Sequence, residues 1–172
     1  MSTRLLVALA IALAPLSAAA ERPGQYWGLS IGDAYVTDDG GDEIGATNAG
    51  LHVGYKFFDF VGAELQVGGA GSGKKVGGRD SRDTYYAGAF ARLDLPLERI
   101  NLFVLAGAAS VRYDEGPPDD VVDESGAAGG LGIELFGNDR TALRLEYMNY
   151  VDTPYEHISL GFVHHFDWPS LR

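Results

Sequence analysis

Cysteine is absent from the 172-residue chain. That excludes a disulfide framework, a thiolate metal site and a cysteine nucleophile. Cations are scarce, since 13 Lys and Arg face 24 Asp and Glu, a formal charge of −11. A nucleic-acid binder needs a basic surface to meet phosphates, so that class is set aside. No apolar run reaches the ~20 residues of a spanning helix, which excludes a helix-bundle membrane protein. Charged residues make up 22% against 46% hydrophobic, a balance too apolar for a charge-driven disordered chain. Glycine, by contrast, is abundant at 24 residues, without a collagen-like G-X-Y repeat.

The longest apolar run opens the chain. Arg4 precedes LLVALAIALAPL over residues 5–16, and Ser17, Ala18, Ala19 and Ala20 follow. These are the n-, h- and c-regions of a cleaved secretory signal peptide. The expected organisation is a signal peptide over 1–20 and a single domain over 21–172. Without Arg4, 12 cations face 24 anions, a net charge of −12.

Beyond Gln25 the dominant period is two. Trp27, Leu29 and Ile31 alternate with Gly28, Ser30 and Gly32, and Leu143, Leu145 and Tyr147 alternate with Arg144 and Glu146. Similar rows occur throughout, predicting eight strands near 25–36, 46–57, 60–70, 83–95, 100–113, 125–136, 141–150 and 155–166. The fifth is apolar on both faces, so its inward side stays unassigned. Long connections at 37–45, 71–82 and 114–124 alternate with tight ones at 58–59, 96–99 and 137–140; a short seventh at 151–154 interrupts the pattern. This is the plan of an eight-stranded antiparallel up-and-down transmembrane β-barrel. Aromatics collect at the strand ends: Trp27, Phe57, Phe60, Phe136 and Phe166 at one, Tyr35, Tyr85, Tyr113, Tyr147, Tyr150 and Tyr155 at the other. They are expected to form two interfacial girdles.

In lipid every backbone N–H and C=O needs an internal partner, so strands must close into a barrel. An outward charge at mid-bilayer costs about 2–4 kcal/mol, and the assigned outward rows contain none. The inward rows carry Lys56, Glu64, Arg92, Asp94, Glu134, Arg144 and Glu146. Buried charges persist when paired, so a lumenal network is expected in which Arg92 and Arg144 are shared among Glu64, Glu134 and Glu146.

These features resemble the small outer-membrane β-barrel superfamily of the OmpA, OmpX and opacity-protein type. The resemblance rests on Tyr26-Trp27-Gly28-Leu29-Ser30-Ile31-Gly32, on Gly54-Tyr55-Lys56-Phe57, on Val61-Gly62-Ala63-Glu64-Leu65, and on the closing run from Tyr155 to Phe166. It implies the outer membrane of a Gram-negative bacterium, contact with outer-membrane lipid and lipopolysaccharide, and delivery by the barrel-assembly machinery through the C-terminal strand. Residues 167–172 (DWPSLR) depart from a pattern that ends on the terminal Phe.

Chemical motifs are weak. Residues 68–74 (GGAGSGK) approach a phosphate-binding loop, but Lys75 replaces the Ser or Thr and no helix follows. His157-x-Ser159 beside Glu156 invites a lipid A-modifying hydrolase, but the flanking residues of that enzyme family are absent; an ordinary lumenal pair is expected. His164 and His165 are adjacent and face opposite sides of a strand, which disfavours a metal site. The expected function is therefore a non-enzymatic barrel, without cofactor, that presents surface loops in envelope integrity, adhesion or surface recognition. The alternatives are the hydrolase, a soluble lipocalin-like carrier of an apolar ligand, and a narrow channel. The loops differ in sign, since 37–45 and 114–124 are acidic whereas 71–82 carries Lys74, Lys75, Arg79 and Arg82 against Asp80. Cation bridging to lipopolysaccharide and recognition of an external partner are the sharper roles for them.

Overall fold

The computed structural model describes residues 24–37, 43–71, 83–114, 121–151, 153 and 155–166. The signal-peptide segment 1–20, most of the long connections and residues 167–172 lie outside them. Eight strands close one antiparallel barrel in chain order: β1 (Gly24–Thr37), β2 (Glu43–Phe58), β3 (Val61–Gly71), β4 (Thr84–Pro96), β5 (Ile100–Asp114), β6 (Val121–Asn138), β7 (Thr141–Tyr150) and β8 (Tyr155–His165). β8 pairs back onto β1, so no edge is left unpaired.

The register fixes the shape. The ladder runs from Gln25 to Tyr55, Ala63, Ala91, Ala106, Gly129, Asn149 and Glu156, and re-enters β1 at Tyr35, ten residues further on. With strands about 4.8 Å apart and rising about 3.3 Å per residue, that shear sets a tilt of about 40°. At this tilt the ten residues of β7 just cross a bilayer, while the 18 of β6 run well past it. β6 accordingly starts at Val121, earlier than the apolar alternation predicts. Asp114, Asp123 and Glu124, expected in a loop, are in fact strand residues. Above the hydrocarbon an outward polar residue carries no penalty, so the ladder continues where the pattern has ended.

The faces are sorted as a membrane barrel requires. Leu29, Leu65, Leu93, Leu131, Leu143 and Leu160 are each more than half exposed, whereas Glu64, Arg92, Glu134 and Arg144 are at most 1% exposed. A soluble ligand-carrying barrel has the reverse arrangement, and the lipocalin-like alternative falls on this point. Leu131→Arg puts a charge on the lipid face and is expected to cost about 2–4 kcal/mol if Leu131 lies near the midplane. Urea unfolding in lipid vesicles measures it; a cost below half a kcal/mol would place Leu131 outside the hydrocarbon.

On β5 the inward row is Asn101, Phe103, Leu105, Ala109 and Val111, and Leu102, Val104, Ala106 and Ala108 face lipid. Large inward side chains stand opposite glycines across the register: Tyr26 by Gly54, Tyr86 by Gly68, Phe103 by Gly132 and Met148 by Gly130. Each glycine leaves the space its neighbour fills.

Candidate functional site

The lumen holds two layers. The lower is a cage of charges. Arg92 donates through Nε and Nη2 to Asp94 Oδ1 at 2.9 and 2.7 Å, through Nη1 to Glu64 Oε2 at 3.1 Å and through Nη2 to Glu134 Oε2 at 2.8 Å. Arg144 donates to both oxygens of Glu64, at 3.0 and 2.7 Å, and to Glu146. Its Nη1 also lies 3.7 Å from Glu134 Oε1. Lys56 Nζ sits 3.4 Å from Asp94. All seven of the charged residues expected inside are thus brought into one buried cluster.

Other residues complete the cage. Tyr26 donates its hydroxyl to Glu64 at 2.6 Å, and Gln66 donates to Glu64 at 2.8 Å and to Glu146 at 3.2 Å. Asn101 donates to Asp94 and Glu134 at 2.5 and 3.0 Å. The guanidinium carbons of Arg92 and Arg144 each lie 4.3 Å from the centre of the Phe103 ring. Cation–π attraction of that kind strengthens away from water. The sequence held a signal for two of these. Gln66 shares its row with Glu64, and Asn101 is the one polar residue in an otherwise apolar row of β5.

The upper layer is aromatic and apolar. Tyr86, Tyr150, Tyr155 and His157 pack with ring centres 5.0 to 6.0 Å apart. Met148, Val111, Leu105 and Phe90 join the same buried cluster. Tyr150 and Tyr155, expected in a lipid-facing girdle, instead turn inward with 2% and 1% exposure. Phe136 also leaves the girdle; it lies on the inward row of β6, its ring 5.4 Å from that of His165. The physical reason is side-chain parity. Tyr150 falls an even number of residues from Glu146, Tyr155 from Ser159 and Phe136 from Glu134, and residues two apart share a face. Position at a strand end does not override that alternation.

Phe57, Phe60, Tyr85, Tyr147 and Phe166 face outward and are exposed, and Trp27 is half-buried on the same face beside Phe162. Tyr35 is half-buried on the outward row of β1. The side chain of Tyr113 lies outside those described. On the upper rim Arg112 and Asp123 form an exposed two-bonded pair. The guanidinium hydrogen bond holds the Asp123 carboxyl below its ordinary value and raises that of Arg112.

The motifs read for chemistry are placed as follows. His157 and Ser159 are both buried inside the wall, with His157 Nε2 3.9 Å from Glu146 Oε1. The exposed apolar row Ile158, Leu160 and Phe162 lies on the other side of that wall. Gly68 to Gly71 belong to β3, so the phosphate-loop sequence begins as strand, and Lys74 is outside the described residues. Among the described residues no group of three or more His, Asp or Glu is placed to hold a metal ion.

Comparison with known proteins agrees with this architecture. The crystal structure of Neisserial surface protein A superposes with a TM-score of 0.66 at 15% identity, covering 83% of this chain and 97% of that one. Ail, the attachment invasion locus protein of Yersinia pestis, gives 0.63 at 16%, covering 84% and 100%. The N-terminal β-barrel domain of Pseudomonas aeruginosa OprF gives 0.60 at 16%, covering 84% and 100%. At these identities the likeness is one of fold. Curated protein sequences yield no match. Residues 5–166 match the family described as outer membrane protein beta-barrel domain. The closed eight-stranded wall, its apolar exterior and this match over nearly the whole chain together make the protein a member of that outer-membrane β-barrel family.

Proposed function

We propose that the protein is a non-enzymatic barrel of a Gram-negative outer membrane that presents its long connections for surface recognition, as in adhesion or envelope integrity. The observation that carries this reading is the filled lumen. A charge cage below and an aromatic plug above occupy the interior, which disfavours a narrow channel and leaves the connections as the variable part. A rigid scaffold that holds variable segments is a common way to build a recognition surface. In this reading β8 delivers the chain to the barrel-assembly machinery, and lipopolysaccharide surrounds the upper rim.

Ail, similar in fold, is described by its name as an attachment and invasion protein and was crystallised with the heparin analogue sucrose octasulfate. In the present chain the segment joining β3 to β4 carries Lys74, Lys75, Arg79 and Arg82 against Asp80 and has the sign to meet sulfates. Changing these four cations to glutamine is expected to lower binding of whole cells to immobilised heparin by tenfold or more. The folded, unboiled gel band should persist. The wild-type binding should fall steeply with salt. Unchanged adhesion after shortening of every long connection, with envelope integrity also intact, would overturn the reading.

A further inference from the structure

The charges enclosed in the lumen do not balance. Lys56, Arg92 and Arg144 supply three cations against the four carboxylates of Glu64, Asp94, Glu134 and Glu146, and none of the seven residues is more than 8% exposed. The shortfall falls on one carboxylate. Glu64 and Glu134 each face both arginines, and Asp94 faces Arg92 and Lys56. Glu146 meets one arginine, Arg144, which also bonds both oxygens of Glu64. Beside it stand the Gln66 amide at 3.2 Å and the His157 imidazole, with Nε2 3.9 Å from Oε1. His157 is 1% exposed and packs against the rings of Tyr86, Tyr155 and Tyr150, with centres 5.2, 5.9 and 6.0 Å away. Its Nδ1 has no hydrogen-bond partner among the described residues, and neither do the buried hydroxyls of Tyr150 and Tyr155.

We propose that the lumen binds one proton, held between His157 and Glu146, as the fourth positive charge of the cage. Enclosing an unbalanced charge costs far more than enclosing a matched set. Folding therefore favours uptake of a cation at the carboxylate that is short of one. A neutral imidazole has one N–H, whereas an imidazolium has two. The charged ring can donate from Nε2 to Glu146 and from Nδ1 into the aromatic layer, where the Tyr150 and Tyr155 hydroxyls are unpartnered. A phenol face within about 6 Å also attracts a cation. The other titratable groups facing the pair are Arg144 on β7, Glu64 on β3, His52 on β2, Tyr86 on β4, Tyr150 on β7 and Tyr155 on β8. Arg144 and Glu64 are already counted, and phenols carry no charge near neutral pH. His52 is buried too, but its Nε2 is turned against Gly28 and has no partner among the described residues. Because the folded barrel holds a proton that the unfolded chain releases, raising the pH weakens the fold.

Urea unfolding of the barrel in lipid vesicles between pH 6 and pH 9, at fixed ionic strength, tests it. The folding equilibrium constant of the wild type should fall about tenfold or more across that range. Glu146→Gln leaves the three cations facing three carboxylates and should flatten the dependence. His157→Gln keeps a side-chain donor beside Glu146 but takes up no proton. It should be less stable than wild type at pH 6 and lose the dependence, whereas His52→Gln should keep it. Carbon-13 NMR of the folded wild type, labelled at histidine and with His157 assigned through its backbone, needs no folded cage variant. The His157 ring should show imidazolium shifts at pH 6 and move towards the neutral ring by pH 9. A wild-type change below about threefold, a dependence that His157→Gln retains or His52→Gln abolishes, or a neutral His157 ring at pH 6 overturns the proposal. So does stability that follows sodium or potassium concentration at constant pH and ionic strength, which gives the fourth charge to a metal ion.

Discussion

Replacing Arg144 with alanine is expected to destabilise the folded barrel by about 3–5 kcal/mol, the usual cost of stranding a buried charge. Glu64 would lose the bonds at 3.0 and 2.7 Å, and Glu146 would lose its arginine. Neither carboxylate can turn to water, because both side chains are enclosed. The comparison that isolates charge stranding from lost packing is the triple variant Arg144→Met, Glu64→Gln, Glu146→Gln. Removing both sides of an ion pair costs far less than removing one, so the triple variant should recover much of the loss. The outward neighbour Leu143→Ala keeps the cage and should move the urea midpoint far less. Unfolding in vesicles, followed by Trp fluorescence and by the unboiled-to-boiled gel shift, reads all three. An Arg144→Ala loss below 1 kcal/mol would mean that the cage contributes little to stability.

Gly107→Val is expected to abolish the folded, heat-shifted band altogether. A Cβ added at Gly107 lies 2.0 Å from the Ala89 carbonyl oxygen and 2.8 Å from Phe90 Cα. These are backbone atoms of the paired strand, so no rotamer change relieves the overlap. Gly32 is a second such place, with its added Cβ 1.9 Å from the Ile158 carbonyl oxygen. Overpacking a core ordinarily costs about 1–3 kcal/mol, and more where backbone has to move. Here the strands must part, and the ladder loses its hydrogen bonds in a medium that replaces none. Gly137→Val is the matched control, because a Cβ there has nothing within 4 Å. Equal yields of folded Gly107→Val and Gly137→Val would show that the wall at Gly107 yields more readily than its backbone contacts imply.

Much of the wall was legible without coordinates because lipid enforces a strict rule. Leu29, Leu65 and Leu143 could face only outward, and parity then placed Glu64 and Arg144 inside. The lumen was less legible, because no comparable rule governs it: charge, amide and aromatic side chains are all tolerated if they are paired or packed. Phe103 illustrates the difficulty. Both rows of β5 are apolar, and its inward place follows from its register opposite Asp94 and Gly132. Tyr150 and Tyr155 illustrate a different one. An aromatic near a strand end suits a girdle and a plug equally well by composition, and only parity separates the two. Glu64 and Glu134 were expected around Arg92; Asp94, two residues along on β4, was expected inside but not in that set, and Glu146 bonds Arg144 instead.

The cage joins residues far apart in the chain; Glu64 and Arg144 are 80 positions distant. Glu64 stands on β3, Arg92 and Asp94 on β4, Glu134 on β6, and Arg144 and Glu146 on β7, so no single hairpin holds the whole set. A sheet without β7 would leave Glu64 with Arg92 but without Arg144, and a charge short of partners is costly to bury. The buried ion pairs therefore favour the closed wall over any sheet that lacks one of its strands.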